Sequence, residues 1–406
     1  MVSRREFLKL TGAGTAAMYL ATRARFLQRA LGATPQPALP LPGSAIPQFV
    51  DPLPDLLLVD GTNDLTIRMQ EFLADVMPST FVAANPNVPY GGTHVWGYQT
   101  DGYIPPAGAI APFNTYINPV VLAQRGTPTQ ITWVNEVGTG AASSLYWEDW
   151  TDLTLHWANP THLPHNSTGH YNDYVPLVPH LHGGEVPPQL DGGPDAWFTR
   201  AVPTGGVQYG HAYYTKTGAP ANGAIYRYPN SQEAANIWFH DHALGITRIN
   251  VYAGIAGAYL LSDPGLTLPT GLGAHSVGGR TIIPLVIQDR MFDADGQLHF
   301  PNVGDNPLLH PFWAPEFLGD TIVVNGKVWP FKNLDNNRYR FLFLNGSNAR
   351  AYEMFLVDTM TGVMGPPMWV IGTDGGYLDT PVKIDPNDPA VPPKLVMMPG
   401  ERYDVI

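Results

Sequence analysis

Residues 235–242 read ANIWFHDH, an apolar run that ends in two histidines separated by one aspartate. A short apolar and aromatic run of this length is typical of a buried β-strand. Side chains alternate between the two faces of a strand. His240 and His242 would therefore point to one face, about 7 Å apart, and Asp241 to the other.

The stretch HLHGG at residues 180–184 carries the same His-x-His spacing in His180 and His182. Two such strands placed side by side bring four imidazoles onto one face. Clustered imidazoles repel one another when they are protonated, and they leave nitrogens unpaired when they are buried and neutral. A shared metal ion removes both difficulties. The alternative is that each pair lies separately at the surface.

The chemistry of these ligands narrows the choice of metal. All-imidazole ligation suits copper, zinc, iron or nickel, and the affinity order favours copper. Structural zinc more often recruits a thiolate, and the chain contains no cysteine. Hydrolase zinc sites of the His-x-His-x-Asp-His kind need an Asp-His pair two residues after a His pair, which WFHDHALG at 238–245 lacks. Copper shared between the two strands is therefore the prediction.

The composition is that of a turn-rich β protein. Of 406 residues, 44% are hydrophobic and only 14% are charged, while Gly and Pro number 42 and 41. Short apolar runs recur between turns, among them TQITWVNEV at 129–137 and RYRFLFLNGS at 338–347. Such runs, with few long helical periods, predict an all-β fold of the sandwich or barrel type, and the length gives room for two domains.

The first 33 residues predict a twin-arginine export signal. Arg4 and Arg5 precede a mild apolar run from Leu10 to Ala21, which is too short to span a membrane. The twin-arginine translocation machinery is thus an expected partner, with a periplasmic or extracellular location and no stable membrane insertion. The formal net charge is −12, and removal of the signal makes the chain more acidic. Nucleic acid is therefore not an expected partner.

Two stretches partly match a dinucleotide-binding fingerprint, GAGTAA at 12–17 and GTGAAS at 138–143. The fingerprint requires a strand before it and a helix after it. The first stretch lies within the export signal. The second is followed by SLYWEDW at 144–150, which is not expected to be helical. Neither stretch predicts a nucleotide site.

The chain after the signal divides at its turn-rich segments. Residues 34–60 are predicted to be an extended, Pro-rich leader, and residues 61–265 a first domain with both His pairs. Gly, Pro and polar residues at 262–280 mark a break. Residues 280–406 are predicted to be a second domain that ends in mid-strand. The region 139–179, which contains four histidines, is predicted to be a surface loop.

At these residues the sequence resembles the multicopper oxidases, and most closely the bacterial laccase, bilirubin oxidase and spore-coat oxidase branch. The resemblance rests on VPHLHGGEVPPQLDGGPDAWFT (178–199), YRYPNSQEAANIWFHDHALGITRINVYAGIAGAYLL (226–261), DTIVVNGKVWPF (320–331) and the region 371–406. These stretches span most of the mature chain in order. The resemblance implies two cupredoxin-like Greek-key β-sandwich domains, with the third domain of the family absent.

The resemblance also implies a role for each histidine of the two pairs. His180 would bind the type 2 copper, and the type 3 copper pair would be bound by His182, His240 and His242. In the family, a carboxylate shortly after the first pair helps to deliver protons to reduced oxygen, and Asp191 occupies that place.

Two aspartates near the histidines have alternative interpretations. Asp191 is either this proton carrier or a turn residue in LDGG at 190–193. Asp241 is expected to orient an imidazole or to cap the strand rather than to touch the metal.

The sequence departs from the family pattern in one respect. The third domain of the family supplies further histidines of the trinuclear site and a type 1 copper site built on a Cys thiolate. This sequence has no Cys, and its last histidine, His310, is predicted to lie in a loop. The chain would hold half of the trinuclear ligands and no type 1 site, so the isolated chain is expected to be inactive. In the whole enzyme, O2 and a small phenolic, bilirubin-like or metal-ion donor are the expected partners.

Two other functions are less favoured. A non-catalytic, cupredoxin-like structural or interaction protein of the cell envelope would more often have lost the ligand histidines, and this chain keeps both pairs. A zinc-dependent hydrolase would require a different spacing of histidine and aspartate.

Overall fold

The computed structural model describes residues 39–85, 89–101, 115–138, 145, 147–152, 155, 175–200, 206–267, 282–301 and 316–406. The predicted export signal, most of the predicted loop 139–179, most of the break at 262–280, and His310 lie outside these residues. Within the described part, no helix is long and apolar enough to cross a membrane. Residues Pro40–Ile406 form one compact unit.

A first group of strands contains both His-x-His stretches and forms two sheets. Its strands are β2 (Leu58–Asp60), β3 (Leu65–Ala74), β4 (Thr93–Thr100), β5 (Val120–Gln124), β6 (Thr129–Asn135), β7 (Pro179–His182), β8 (Gly223–Tyr228), β9 (Ala235–Asp241) and β10 (Ala256–Ser262). One sheet has the order β2-β5-β10-β9-β7 and the other the order β4-β3-β6-β8. Strands β7 and β9 are therefore neighbours at one edge of the five-stranded sheet.

A second group of strands follows in the chain. Its main strands are β11 (Ile282–Arg290), β13 (Thr321–Val324), β14 (Lys327–Val328), β15 (Arg340–Asn345), β17 (Met368–Thr373), β18 (Gly376–Ile384) and β20 (Arg402–Val405). They form a seven-stranded sheet of the order β14-β13-β11-β15-β20-β17-β18. Two further pairs are antiparallel, and they join β16 (Tyr352–Met354) to β19 (Leu395–Met397) and β1 (Pro40–Leu41) to β12 (Phe292–Asp293).

The core of the first group is aromatic. Phe239 in β9 is fully buried, and its ring centroid lies 4.9 Å from that of Tyr98 and 5.3 Å from that of Trp133. Gly257 lies against this ring, because a Cβ there would come within 2.4 Å of Phe239 Cζ. Packing of Phe239 thus fixes which face of β9 points into the core, and His240 lies on the opposite face.

Helices are short among the described residues. They are α1 (Trp147–Trp150) and α2 (Thr247–Ala253), with single 3-10 turns at Gly43–Ala45 and Pro188–Leu190. The prediction that SLYWEDW holds no helix is wrong, since α1 forms one helical turn within it. Helix α2 ends at Ala253 and is capped by Gly254, whose φ is +128°; a Cβ added at Gly254 would lie 2.1 Å from Trp96 O. The predicted all-β class is otherwise confirmed.

The predicted leader is partly incorporated into the fold. Residues 58–60, at its end, form β2, which pairs in parallel with β5. Residues near its start form β1 and pair with β12 of the second group. Backbone polar groups that pack against a sheet edge must find partners, so this segment is extended but not independent. The bounds of the two domains stay predictions.

Candidate metal centre

The register of two adjacent strands assembles the site. Strands β7 and β9 are antiparallel, with His180 opposite His240 and His182 opposite Trp238. The residues between them, Leu181 and Phe239, point into the core and are at most 2% exposed. Because the pleat alternates, burial of these two apolar side chains turns the histidines to the opposite face.

All four predicted histidines lie together. The ligand nitrogens of His180, His182 and His240 are all within 4.8 Å of one another. The ring centroid of His242 lies 4.7 Å from that of His180 and 5.8 Å from that of His240. The closest nitrogens are His182 Nδ1 and His240 Nε2, which are 3.1 Å apart. The strand periodicity predicted this convergence, and the role of the rings as ligands stays a proposal.

Main-chain carbonyl groups set the tautomers of two rings. His180 Nδ1 donates to the carbonyl oxygen of Asp191 at 2.6 Å, and His240 Nδ1 donates to that of Asp241, also at 2.6 Å. A neutral imidazole with its proton on Nδ1 has its lone pair on Nε2. Both rings therefore offer Nε2 as a ligand atom, with the other nitrogen held by a hydrogen bond as is usual at metal sites.

Burial favours the neutral form of three of the rings. It lowers the pKa of His182 to about 4, with the positive charge of Arg402 as the next contribution. It also lowers the pKa of His240 well below the ordinary value, and it lowers the pKa of His242. Metal ions bind the neutral form of imidazole, so the site is prepared for a cation at neutral pH.

The fourth ring has an unused nitrogen. His242 Nδ1 is buried and makes no hydrogen bond to another residue in the part of the chain that the structure describes. A buried nitrogen without a partner is unfavourable by about 1–3 kcal/mol. Four clustered imidazoles and an unpaired nitrogen fit a copper ion or another borderline metal, because such ions accept nitrogen ligands.

Asp191 lies beside the first histidine. It ends the 3-10 turn Pro188–Leu190, and its carboxylate Oδ1 is 3.4 Å from His180 Nδ1, while its side chain is 41% exposed. The next residue, Gly192, has φ +68°, and a Cβ there would come within 2.0 Å of Pro179 O. Only glycine fits this close approach. Asp191 is thus both a turn residue and a contact of the site.

Asp241 lies on the reverse face and caps the end of β9. Its carboxylate accepts hydrogen bonds from Val178 N at 2.9 Å, Ala243 N at 3.1 Å and Asn250 Nδ2 at 2.9 Å. Burial raises the pKa of Asp241 to about 7, against the effect of these hydrogen bonds. Of the two expectations for this residue, capping is the one that its contacts show.

Two residues at the site were missed by the sequence analysis. Trp238 lies 4.2 Å from His240 and 5.2 Å from His182 between ring centroids, and its buried Nε1 has no hydrogen-bond partner among the described residues. The period of two that aligns the histidines also places Trp238 on their face, so the signal was present. Arg402 comes from β20, and no local pattern links it to the site.

The chain is similar in sequence to known proteins over about three quarters of its length. No protein-family model matches the chain. It is 36% identical over 299 residues to a multicopper oxidase of Oryza sativa subsp. japonica, which covers 74% of this chain and 44% of that protein. It is 33% identical over 320 residues to a laccase of Bacillus subtilis (strain 168), which covers 77% of this chain and 50% of that protein. The chain spans about half the length of the curated relatives that it matches.

Solved structures agree on the fold. A variant of the multicopper oxidase of the hyperthermophile Aquifex aeolicus matches with a TM-score of 0.57 and 24% identity, over 88% of this chain and 57% of that chain. The chain belongs to the multicopper oxidase family, a family of copper-dependent oxidoreductases. The predicted resemblance and fold class are confirmed.

Proposed function

We propose that the whole protein is a multicopper oxidase that takes single electrons from a small reducing substrate and reduces O2 to water, and that this chain supplies four of the copper ligands. The observation that carries the proposal is the convergence of ring nitrogens from β7 and β9. The family relationship and the donor chemistry of neutral imidazoles support it. Phenols, bilirubin-like compounds and metal ions are the proposed donors, on the basis of the family resemblance.

The proposed division of the ligands follows the resemblance. His180 is assigned to the type 2 copper, and His182, His240 and His242 to the type 3 pair. Copper, when bound, supplies the one-electron chemistry. Burial favours the neutral form of His182, His240 and His242, and main-chain carbonyl groups fix the tautomers of His180 and His240. No type 1 site can form from this chain, because it contains no Cys.

Asp191 is proposed to move protons to the site. Reduction of O2 to water consumes protons as well as electrons, and a buried site needs a path for them. The Asp191 side chain is partly exposed to solvent and lies 3.4 Å from the ring of His180. A carboxylate in this place can take a proton from water and pass it inward.

Replacement of Asp191 by Asn tests this role in the whole enzyme. We expect kcat for O2 reduction to fall by about 100-fold, because general acid catalysis contributes about 10²–10⁴-fold, while the copper content stays unchanged. Oxygen-uptake rates and metal analysis of the same preparation measure both quantities. If the variant loses copper in proportion to its activity, Asp191 is a structural turn residue and the proton role is wrong.

The function itself is tested by comparing the whole protein with the isolated chain. We expect the copper-loaded whole protein to consume O2 with a phenolic donor. The isolated 406-residue chain should show no turnover, since it has no thiolate for the site at which electrons enter. An oxygen electrode measures O2 uptake by the whole protein and by the isolated chain, and copper analysis of the same samples shows whether each is loaded with copper. Copper-loaded whole protein without O2 uptake would favour the second candidate, a non-catalytic structural protein of the cell envelope.

The location of the protein is proposed from its N-terminus. Arg4 and Arg5, followed by the apolar run, support export by the twin-arginine route to the periplasm or the exterior. This route transports folded proteins, which suits a protein that binds its cofactor before export. Replacement of both arginines by lysine should leave the protein in the cytoplasm, as fractionation would show.

A further inference from the structure

Arg402, at the start of β20, is a buried side chain of the second strand group that reaches the histidine strands. We propose that Arg402 is a positioning residue, whose guanidinium holds β7 and β9 in the arrangement in which their histidines bind one metal cluster. The inference rests on the proposed function only for the identity of the metal, copper.

The guanidinium of Arg402 is bonded to three segments. Its Nε donates to the carbonyl oxygen of Asn236 in β9 at 3.1 Å, its Nη1 to that of Gly400 at 2.8 Å, and its Nη2 to that of Asp374 at 3.1 Å. The Asp374 carboxylate also lies 3.0 Å from Nη1 and accepts the Arg402 main-chain N–H at 2.7 Å. The side chain of Arg402 is only 2% exposed, whereas that of Asp374 is 50% exposed.

The same guanidinium packs against the turn that follows β7. Gly183, directly after His182, has φ +85°, and a Cβ at Gly183 would lie 2.5 Å from Arg402 Nη2. The loop before Arg402 also covers the histidine, because a Cβ at Gly400 would lie 3.5 Å from His182 Cε1. Arg402 therefore touches the strand of one His pair and the turn that ends the strand of the other.

The shape of arginine accounts for this role. A guanidinium is a planar fork with five N–H donors, and here Nε and both terminal nitrogens donate to separate carbonyl groups. A lysine keeps the positive charge but has a single nitrogen, which cannot reach all three acceptors at once. Replacement of Arg402 by Lys should therefore keep the charge, loosen the link between β9 and the segments of Gly400 and Asp374, and change the packing against the Gly183 turn.

Arg340 provides a matched control. It is also a buried arginine of the seven-stranded sheet, with a 6% exposed side chain, but it is bonded to Asp404 and Tyr377 rather than to the histidine strands. Arg340→Lys and Arg402→Lys should lower the free energy of unfolding to a similar extent. They should differ at the site, because only Arg402 contacts the strand and turn that position the rings.

The experiment compares the two variants with the native chain in two ways. In the copper-free chain, ¹⁵N-labelled histidine rings are observed by NMR, and we expect Arg402→Lys to shift and broaden the His182 and His240 resonances while Arg340→Lys leaves them unchanged. With Cu²⁺ as the probe, we expect Arg402→Lys to weaken binding by at least about 10-fold, as for loss of other groups that support metal ligands, and Arg340→Lys by less than about 2-fold.

A milder variant covers the case in which Arg402→Lys does not fold. Asp374→Ala removes the carboxylate that holds the guanidinium from its exposed side, and it should move the same histidine resonances to a smaller extent. Unchanged His182 and His240 resonances in the folded variants would overturn the positioning role. If the native chain binds no Cu²⁺, the proposed function fails, but the ring resonances still decide whether Arg402 positions the histidines.

Discussion

His182→Ala and His240→Ala should each weaken copper binding to this chain by about 100-fold or more. Loss of a group that only supports a metal ligand weakens metal binding by about 10–100-fold, and removal of a ligand itself should exceed this. The nitrogens of these two rings are 3.1 Å apart, the closest approach recorded among the four rings, so both are expected to face the same ion. Equilibrium dialysis against Cu²⁺, with metal analysis, measures the change.

His211→Ala is the control for this prediction. His211 is an exposed histidine in a turn, in the same strand group but outside the cluster. Its replacement should leave the strongest copper binding unchanged, because an isolated surface imidazole binds the ion only weakly. If all three variants bind copper as the native chain does, the cluster is not the copper site.

Phe239→Ala should destabilise the protein by about 3–5 kcal/mol, the usual range for removal of a buried aromatic ring from a core. Phe239 lies between Trp238 and His240 in β9 and packs on Tyr98, Trp133 and Gly257. The cavity would also loosen β9, so copper binding should weaken in the same variant. Urea denaturation followed by tryptophan fluorescence gives the free energy of unfolding.

Phe355→Ala serves as the comparison for this core substitution. The Phe355 side chain is 39% exposed, and its removal should change the free energy of unfolding by less than about 1 kcal/mol. Equal losses in the two variants would contradict the packing of β9 against the aromatic core.

The histidine face could be predicted because it depends on a local rule. Alternation along a strand places His240 and His242 together whatever the rest of the chain does, and the apolar residues that alternate with the histidines, Leu181 and Phe239, show which face is buried. The same rule could have included Trp238. The pairing of β7 with β9 is not local, since His182 and His240 are 58 residues apart. It was inferred from the need of four imidazoles for a shared metal ion, and the family resemblance agreed with it.

Other parts of the site could not be predicted from local sequence. Arg402 reaches Asn236 across 166 residues of chain, and no periodicity encodes such a contact. The position of Asp191 depends on the conformation of Gly192, which a side-chain pattern does not reveal. The sequence predicted only an extended leader, because its prolines obscure the short stretch 58–60 that pairs with β5.

The partners of the N-terminal segment have a consequence for the order of synthesis and folding. Strand β1 pairs with β12, and Gly43 N donates to Asp320 Oδ2 at 2.7 Å, a contact between residues 277 positions apart. The ribosome must therefore release most of the polypeptide before residues 40–43 can be fixed in place. The segment that follows the proposed export signal can therefore reach its final position only after residues 292–293 and 320 have been synthesised.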